Sequence, residues 1–292
     1  MRVQAFAKIN LSLRVLGTRA DGYHELRTIF QSIALHDTLT IRRLRGGALR
    51  VTCNDPRVPI DRANLVWRAA EAAWKAAGHR GAPRSVHIDL AKRIPLEAGL
   101  GGGSSDAAAT LRALARLWRV DPARVPRIAA DLGADVPYFL EGGTALGLER
   151  GDVVYPLVDY PRAWVVLVLP PFGVSTANAY AWFDQDRRGL ASSRKEGSAF
   201  SGPLAKKGYG PFFNDLEACV ARRHSEIGRI VSALRRAGAS HAAMSGSGSA
   251  VFGLFDSRAV AVRARAALAT PTRGALVTRT LTRSEYRRLA AK

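Results

Sequence analysis

The chain has 292 residues, enough for two lobes with separate cores, and this excludes a small scaffold held together by disulfides or a metal. Hydrophobic residues make up 47% and charged residues 23%, the balance of a folded, water-soluble protein, and the longest strongly apolar run, Ala163 to Leu169, is far too short to span a bilayer. The formal net charge of +20 invites a nucleic-acid ligand, yet only seven of the 44 basic residues are lysines, so an arginine-rich coding bias accounts for the charge better than a binding patch does.

The first segment alternates with period two: Ile9, Leu11, Leu13 and Val15 are apolar, with Lys8, Asn10, Ser12 and Arg14 between them. Lys8 and Asn10 therefore share one face of a strand. Lys8 also interrupts the apolar stretch that a secretory signal would need, so a cytoplasmic location is expected. Asp21-Gly22 is a hairpin turn signal, and Glu25–Leu35 and Thr38–Leu44 read as two further strands separated at His36-Asp37. Helical spacing over Asn64–Ala77 ends at Gly78, and Ser85–Ile94 returns to a strand. The glycine-rich loop Gly99-Leu100-Gly101-Gly102-Gly103 then opens a helix carrying Leu111, Leu114 and Leu117.

A second helix is predicted from the cap Asp121-Pro122 to Gly133, with Asp135 just beyond its end. Gly143–Leu157 reads as a hairpin, Trp164–Leu169 as a buried strand, and Asn178–Phe183 and Ser225–Ala237 as helices. The run Arg187–Gly210 is rich in Ser, Gly, Lys and Arg without periodicity and reads as a mobile surface loop. Ser245-Gly246-Ser247-Gly248-Ser249 precedes the apolar strand Ala250–Phe255, and the basic residues after Asp256 alternate with apolar ones as on a solvated helix face. The lobe boundary is expected near Tyr160-Pro161, dividing residues 1–160 from 161–292. Cys53 and Cys219 are far apart and read as buried thiols. His87, His224 and His241 lack companions at ligand spacing, so no protein metal site is expected.

Glycines let backbone N–H groups approach an anion, and a helix N-terminus favours negative charge, so the Pro95–Ser105 loop suits a phosphate. It is neither a Walker A loop nor a full GxGxxG fingerprint. The run Pro95-Leu96-Glu97-Ala98-Gly99-Leu100-Gly101-Gly102-Gly103-Ser104-Ser105-Asp106 resembles the ATP-binding motif of the GHMP superfamily of small-molecule kinases. Ala7-Lys8-Ile9-Asn10-Leu11 resembles that superfamily's first motif, and Met244–Ser249 its third. Ala20–Leu26, Leu132–Pro137 and Asn214–Glu217 are similar to the branch that phosphorylates the 2-hydroxyl of a cytidine diphosphate derivative on a route to isoprenoid precursors.

The resemblance implies an α/β (α+β) fold of two lobes, an S5-like N-terminal lobe and an α/β sandwich C-terminal lobe, with the active site between them. It implies ATP as phosphoryl donor, with Mg²⁺ carried on the nucleotide, and Lys8 and Asp135 as catalytic residues. Asn10, Tyr23 and His24 are the implied substrate contacts, with Tyr180 favoured over Trp182 to close the second face of the base. In a loose transition state the hydroxyl proton leaves late, so Asp135 is expected to orient the hydroxyl and accept its proton late rather than preform an alkoxide. The glycine loop alone fits another GHMP small-molecule kinase; Tyr23-His24 together with Asp135 discriminates. A basic RNA-binding protein built on an S5-like lobe leaves the loop, Lys8 and Asp135 without a role. The expected partner is a small molecule, with no nucleic acid or membrane, and the expected state is a monomer or weak homodimer.

Overall fold

A computed structural model describes residues 1–190 and 212–291. β1 (Arg2–Thr18) and β2 (His24–Ala48) form a long antiparallel hairpin, closed at Asp21-Gly22 by a glycine in the left-handed region. β2 carries β1 along one edge. Its other edge takes β5 (Thr144–Glu149) over Leu26–Gln31 and β4 (Arg84–Ala91) over Thr38–Ala48. β3 (Arg50–Cys53) adds parallel to β4, and β6 (Val153–Pro156) closes the hairpin with β5. A second, antiparallel sheet has the order β10-β7-β9-β8, from β7 (Trp164–Leu169), β8 (His241–Met244), β9 (Val251–Phe255) and β10 (Gly274–Arg279).

Helices α1 (Leu65–Ala76), α2 (Gly102–Trp118) and α3 (Val125–Leu132) build one core with the first sheet, through Val66, Leu111, Leu114, Leu39 and Ile88. The short α4 (Tyr138–Glu141) follows α3. The second sheet packs against α5 (Thr176–Leu190), α6 (Asp215–Arg223), α7 (Glu226–Arg236) and α8 (Arg258–Leu268). Between the two lies a third core in which Ala7, Ile9 and Leu11 of β1 meet Val165, Leu167, Phe252 and Leu254. The alternation read in β1 thus buries its odd residues against the second sheet and turns Lys8 and Asn10 the other way. α9 (Arg283–Ala290) returns to the first lobe, where the buried Tyr286 donates its hydroxyl to the Phe139 carbonyl at 2.6 Å.

Several expectations need correction. The two strands divided at His36-Asp37 are one, because the buried Asp37 carboxylate reaches across to the segment after β4 instead of breaking the strand. It accepts from the backbone N–H groups of Arg93 at 2.5 Å and Ile94 at 2.8 Å. Those same bonds end β4 at Ala91 rather than Ile94. The helix expected from Asp121 begins as a 3₁₀ turn, Pro122–Arg124, because Pro126 offers no N–H and fits only the first turn of a new helix. Cys219 is buried, but Cys53, on the edge strand, is only half-buried. The surface loop expected from Arg187 starts inside α5, and its remainder, 191–210, lies outside the described residues. The basic helix α8 behaves as read: Ala261, Ala264 and Leu268 are buried and Arg258, Arg263 and Arg265 are exposed.

Candidate active site

β4, the glycine loop and α2 follow in the order expected. Gly101 caps α2 in the left-handed region and supplies no side-chain acceptor, so the first-turn N–H groups of Gly102, Gly103 and Ser104 are left for an outside anion. Gly99 is held where a Cβ would lie 2.0 Å from the Ser245 carbonyl oxygen. This close approach docks the glycine loop on the 245–249 loop. Ser245 Oγ donates to the Gly99 carbonyl at 3.0 Å and the Ala250 N–H to the Ala98 carbonyl at 3.2 Å.

β1 supplies the charge. The Lys8 N–H donates to the Leu100 carbonyl at 3.0 Å, tying the strand to the glycine loop. Its ammonium, almost wholly buried, donates to Asn10 Oδ1 at 2.6 Å and stands 3.5 Å from Asp135 Oδ2. Asn10 Nδ2 donates to Thr28 Oγ1 at 2.7 Å, and Thr28 donates to the Ser12 carbonyl at 2.7 Å. Both ends of the Asn10 carboxamide are thus engaged, and the residue expected to touch substrate also holds the ammonium in place. Asp135 sits in the turn between α3 and α4, a third exposed, anchored by the buried Val136 next to it.

These groups line one cavity of about 1100 Å³. Pro95 to Ser104 all lie on its wall. Ser105 does not: it is buried and its hydroxyl donates to the Phe6 carbonyl at 2.7 Å, so it braces α2 against β1. Beneath the loop, Lys92 bridges Asp37 at 2.5 Å and Asp106 at 2.8 Å. Burial pushes the Asp106 carboxyl up to about 8, and its second oxygen is buried with no hydrogen-bond partner among the described residues.

Tyr23, His24 and Tyr180 line the same cavity. Tyr23 is exposed, with the Arg150 guanidinium 5.2 Å from its ring centre. His24 stacks on Tyr180 with centroids 4.6 Å apart, and its Nε2 is 2.9 Å from Asp184 Oδ1. Burial, with Asp135 nearby, pushes the Tyr180 phenol up. Trp182 lies away from the cavity, against Arg223 and His224. Asp184 was missed in the sequence although a signal existed: Ala177, Tyr180, Ala181 and Asp184 follow i, i+3, i+4, i+7 spacing and all line the cavity. Lys92, Arg150 and Thr176, which line it too, carried no such pattern.

Asn214 braces the third loop. Its Nδ2 donates to the carbonyls of Met244 at 2.8 Å and Gly246 at 2.7 Å, while its Oδ1 accepts from Leu216 N–H at 3.0 Å as the cap of α6. Glu217 adds an acceptor for Met244 N–H at 2.7 Å. Among the described residues, no group of three or more His, Cys, Asp or Glu is arranged to hold a metal ion.

Comparisons with known proteins bear on this geometry. The family model described as GHMP kinases N terminal domain matches residues 64–143, and the GHMP kinases C terminal model matches 202–272. The chain is 43% identical to the 4-diphosphocytidyl-2-C-methyl-D-erythritol kinase of Moorella thermoacetica, over 96% of this chain and 99% of that one. It is 44% identical to the enzyme of the same name from Solibacter usitatus, over 98% and 92%. A crystal structure of 4-(cytidine 5'-diphospho)-2C-methyl-D-erythritol kinase superposes with a TM-score of 0.76 at 34% identity, covering 96% of this chain and 99% of that one. A mevalonate kinase crystal structure shares the fold, with a TM-score of 0.64 at 13% identity over 97% and 99% of the two chains.

Proposed function

The chain belongs to the 4-diphosphocytidyl-2-C-methyl-D-erythritol kinases, GHMP kinases of the non-mevalonate isoprenoid route, and on that premise we propose how its residues carry out the reaction. The enzyme transfers a phosphoryl group from ATP to the 2-hydroxyl of 4-diphosphocytidyl-2-C-methyl-D-erythritol, giving the 2-phosphate and ADP. The observation that carries the reading of the site is the Lys8 ammonium 3.5 Å from the Asp135 carboxylate, in the cavity walled by the glycine loop.

In our reading, the free N–H groups of Gly102–Ser104 and the α2 dipole seat the nucleotide's phosphates. The acceptor oxygen attacks the γ-phosphorus as the bond to the β–γ bridging oxygen breaks, so the protein mainly positions two reactants and stabilises charge. Lys8, fixed by Asn10, neutralises the oxygens of the moving phosphoryl group. Asp135 orients the hydroxyl and takes its proton late. Tyr23, His24 and Tyr180 hold the cytosine, and Asn10 adds a substrate contact. The donor set fits a Mg²⁺ that arrives on phosphate oxygens, because the carboxylates on the cavity wall, Glu97, Asp135 and Asp184, are not gathered into a cage of protein ligands among the described residues. When bound, the ion supplies further charge neutralisation on the phosphates.

We draw the lobe boundary at Tyr160-Pro161, since the first sheet uses residues up to Pro156 and the second begins at Trp164, with α9 crossing back. We also read the enzyme as a cytoplasmic monomer or weak homodimer without a nucleic-acid partner, its cavity being shaped for small molecules. No helix among the described residues is long and apolar enough to cross a membrane. Phosphorus NMR of the product tests the reaction: one new phosphate ester, on the 2-hydroxyl, is expected. Phosphorylation at another hydroxyl would contradict the assigned acceptor geometry.

A further inference from the structure

His24 is held on two sides. Tyr180 covers its face, with the rings 22° apart, and Asp184, one helical turn along α5, sits 2.9 Å from Nε2. The ring is largely buried and the carboxylate a third exposed. No other hydrogen bond to the imidazole is made among the described residues. An ionised carboxylate has only lone pairs to offer, so a neutral imidazole paired with it must carry its proton on Nε2. The nitrogen left for a ligand is then Nδ1, as an acceptor. Which ring nitrogen faces a ligand, and in which role, is commonly set by the bond that the other nitrogen makes.

We propose that Asp184 is the positioning residue that makes the acceptor site prefer cytosine over uracil, by fixing His24 with the Nδ1 lone pair toward the base. A cytosine presents an exocyclic amino group, a donor that this lone pair accepts. A carbonyl oxygen at the same place, as in uracil, sets two lone pairs against each other. Part of the preference thus comes from repulsion of the wrong base, as specificity often does. The proposal rests on the reading of this cavity as the site of a cytidine diphosphate acceptor.

The test compares kcat/KM for the cytidine acceptor and for its uridine counterpart at pH 8, in the wild type, Asp184→Ala and Asp184→Asn. The wild type is expected to favour the cytidine acceptor. In Asp184→Ala that preference falls about tenfold or more, the scale of one hydrogen bond replaced by a mismatch, through a raised KM for the cytidine acceptor. The kcat and the KM for ATP stay within about twofold of the wild type, which a general loss of structure would not allow. Asp184→Asn keeps one acceptor oxygen and loses less. Nitrogen NMR of the wild-type imidazole provides a reading that needs no variant to fold: His24 should carry its proton on Nε2. An unchanged preference in Asp184→Ala, or a wild-type ring protonated on Nδ1, overturns the proposal and leaves the kinase assignment standing. A wild type that phosphorylates neither acceptor overturns the assignment, and the proposal with it.

Discussion

Lys8 can act as a cation because nearly everything around its ammonium is fixed. Its own N–H is bonded to the glycine loop, its Nζ to Asn10, and Asn10 in turn to Thr28. Such a held charge acts on a developing phosphoryl charge without reorganising, and in a site shielded from water it is worth more than a mobile one. Lys8→Met keeps the alkyl stem and its packing but removes the charge. The expected outcome is a fall in kcat of about 10²-fold or more, with a smaller change in the KM for ATP, read by steady-state kinetics on protein whose melting temperature is checked. A change confined to KM would assign Lys8 to binding alone. This residue was legible in the sequence because a strand's period of two separates its faces, and a lysine amid apolar neighbours stands out. Asp37 was not, since an acid beside a histidine reads locally as a turn, and its burial is explained by partners 55 to 57 residues away, the Lys92 ammonium and the N–H groups of Arg93 and Ile94.

At the scale of elements, the site depends on two loops braced from outside it. The 245–249 loop is fastened by Asn214 at the start of α6, a helix that periodicity does not announce, although Asn214-Asp215-Leu216-Glu217 stands out by resemblance. A cap residue that also binds a distant loop looks in sequence like any other cap. Asn214→Ala leaves two carbonyls and one N–H without this partner. It should cost about 1–3 kcal/mol in urea unfolding and lower turnover as the loop loosens. Asn214→Asp keeps the cap but sets a carboxylate against two carbonyls, so it should not rescue the loss. In β8, the strand that leads into this loop, His241 lies between Phe212 and Phe252 with its Nε2 buried and without a hydrogen-bond partner among the described residues. Burial, aided by Arg235, pulls it down to about 4. The folded chain therefore binds this proton more weakly than the unfolded chain, whose ordinary value is about 6.5. Its contribution to stability is intact above about 6.5 and is lost as pH falls toward 4, by roughly 2–3 kcal/mol. His241→Leu should shrink the loss of unfolding free energy between pH 7 and pH 4.5 by about 2 kcal/mol; an unchanged loss would mean the imidazole is not held neutral.

Across the whole molecule, the cavity belongs to neither sheet alone. β1 contributes Lys8 and Asn10, the turn after α3 contributes Asp135, and α5 with the 245–249 loop forms the opposing wall. Ala7, Ile9 and Leu11 bury the reverse face of β1 against β7 and β9, which sets the distance between the two walls. The strongly periodic parts of this architecture could be read from sequence: the first hairpin, the glycine loop opening α2, the buried β7. The short strands β8 and β10 could not, because four to six residues of mixed composition acquire their form from the sheet they dock on, whereas α9 does carry a local signal, the capping box Thr282 to Glu285 at its start. Of the charge of +20, the three arginines of α8 face solvent, opposite the buried Ala261, Ala264 and Leu268.

The most direct measurement of the central claim is ADP release with Mg²⁺-ATP and 4-diphosphocytidyl-2-C-methyl-D-erythritol, run beside mevalonate, homoserine and galactose, for the wild type and Asp135→Ala. Turnover with the cytidine substrate alone, reduced on the order of 10² to 10⁴-fold in the variant, is the expected result. Folded, ATP-binding wild type that turns over another acceptor instead, or a variant as active as the wild type, would contradict the account.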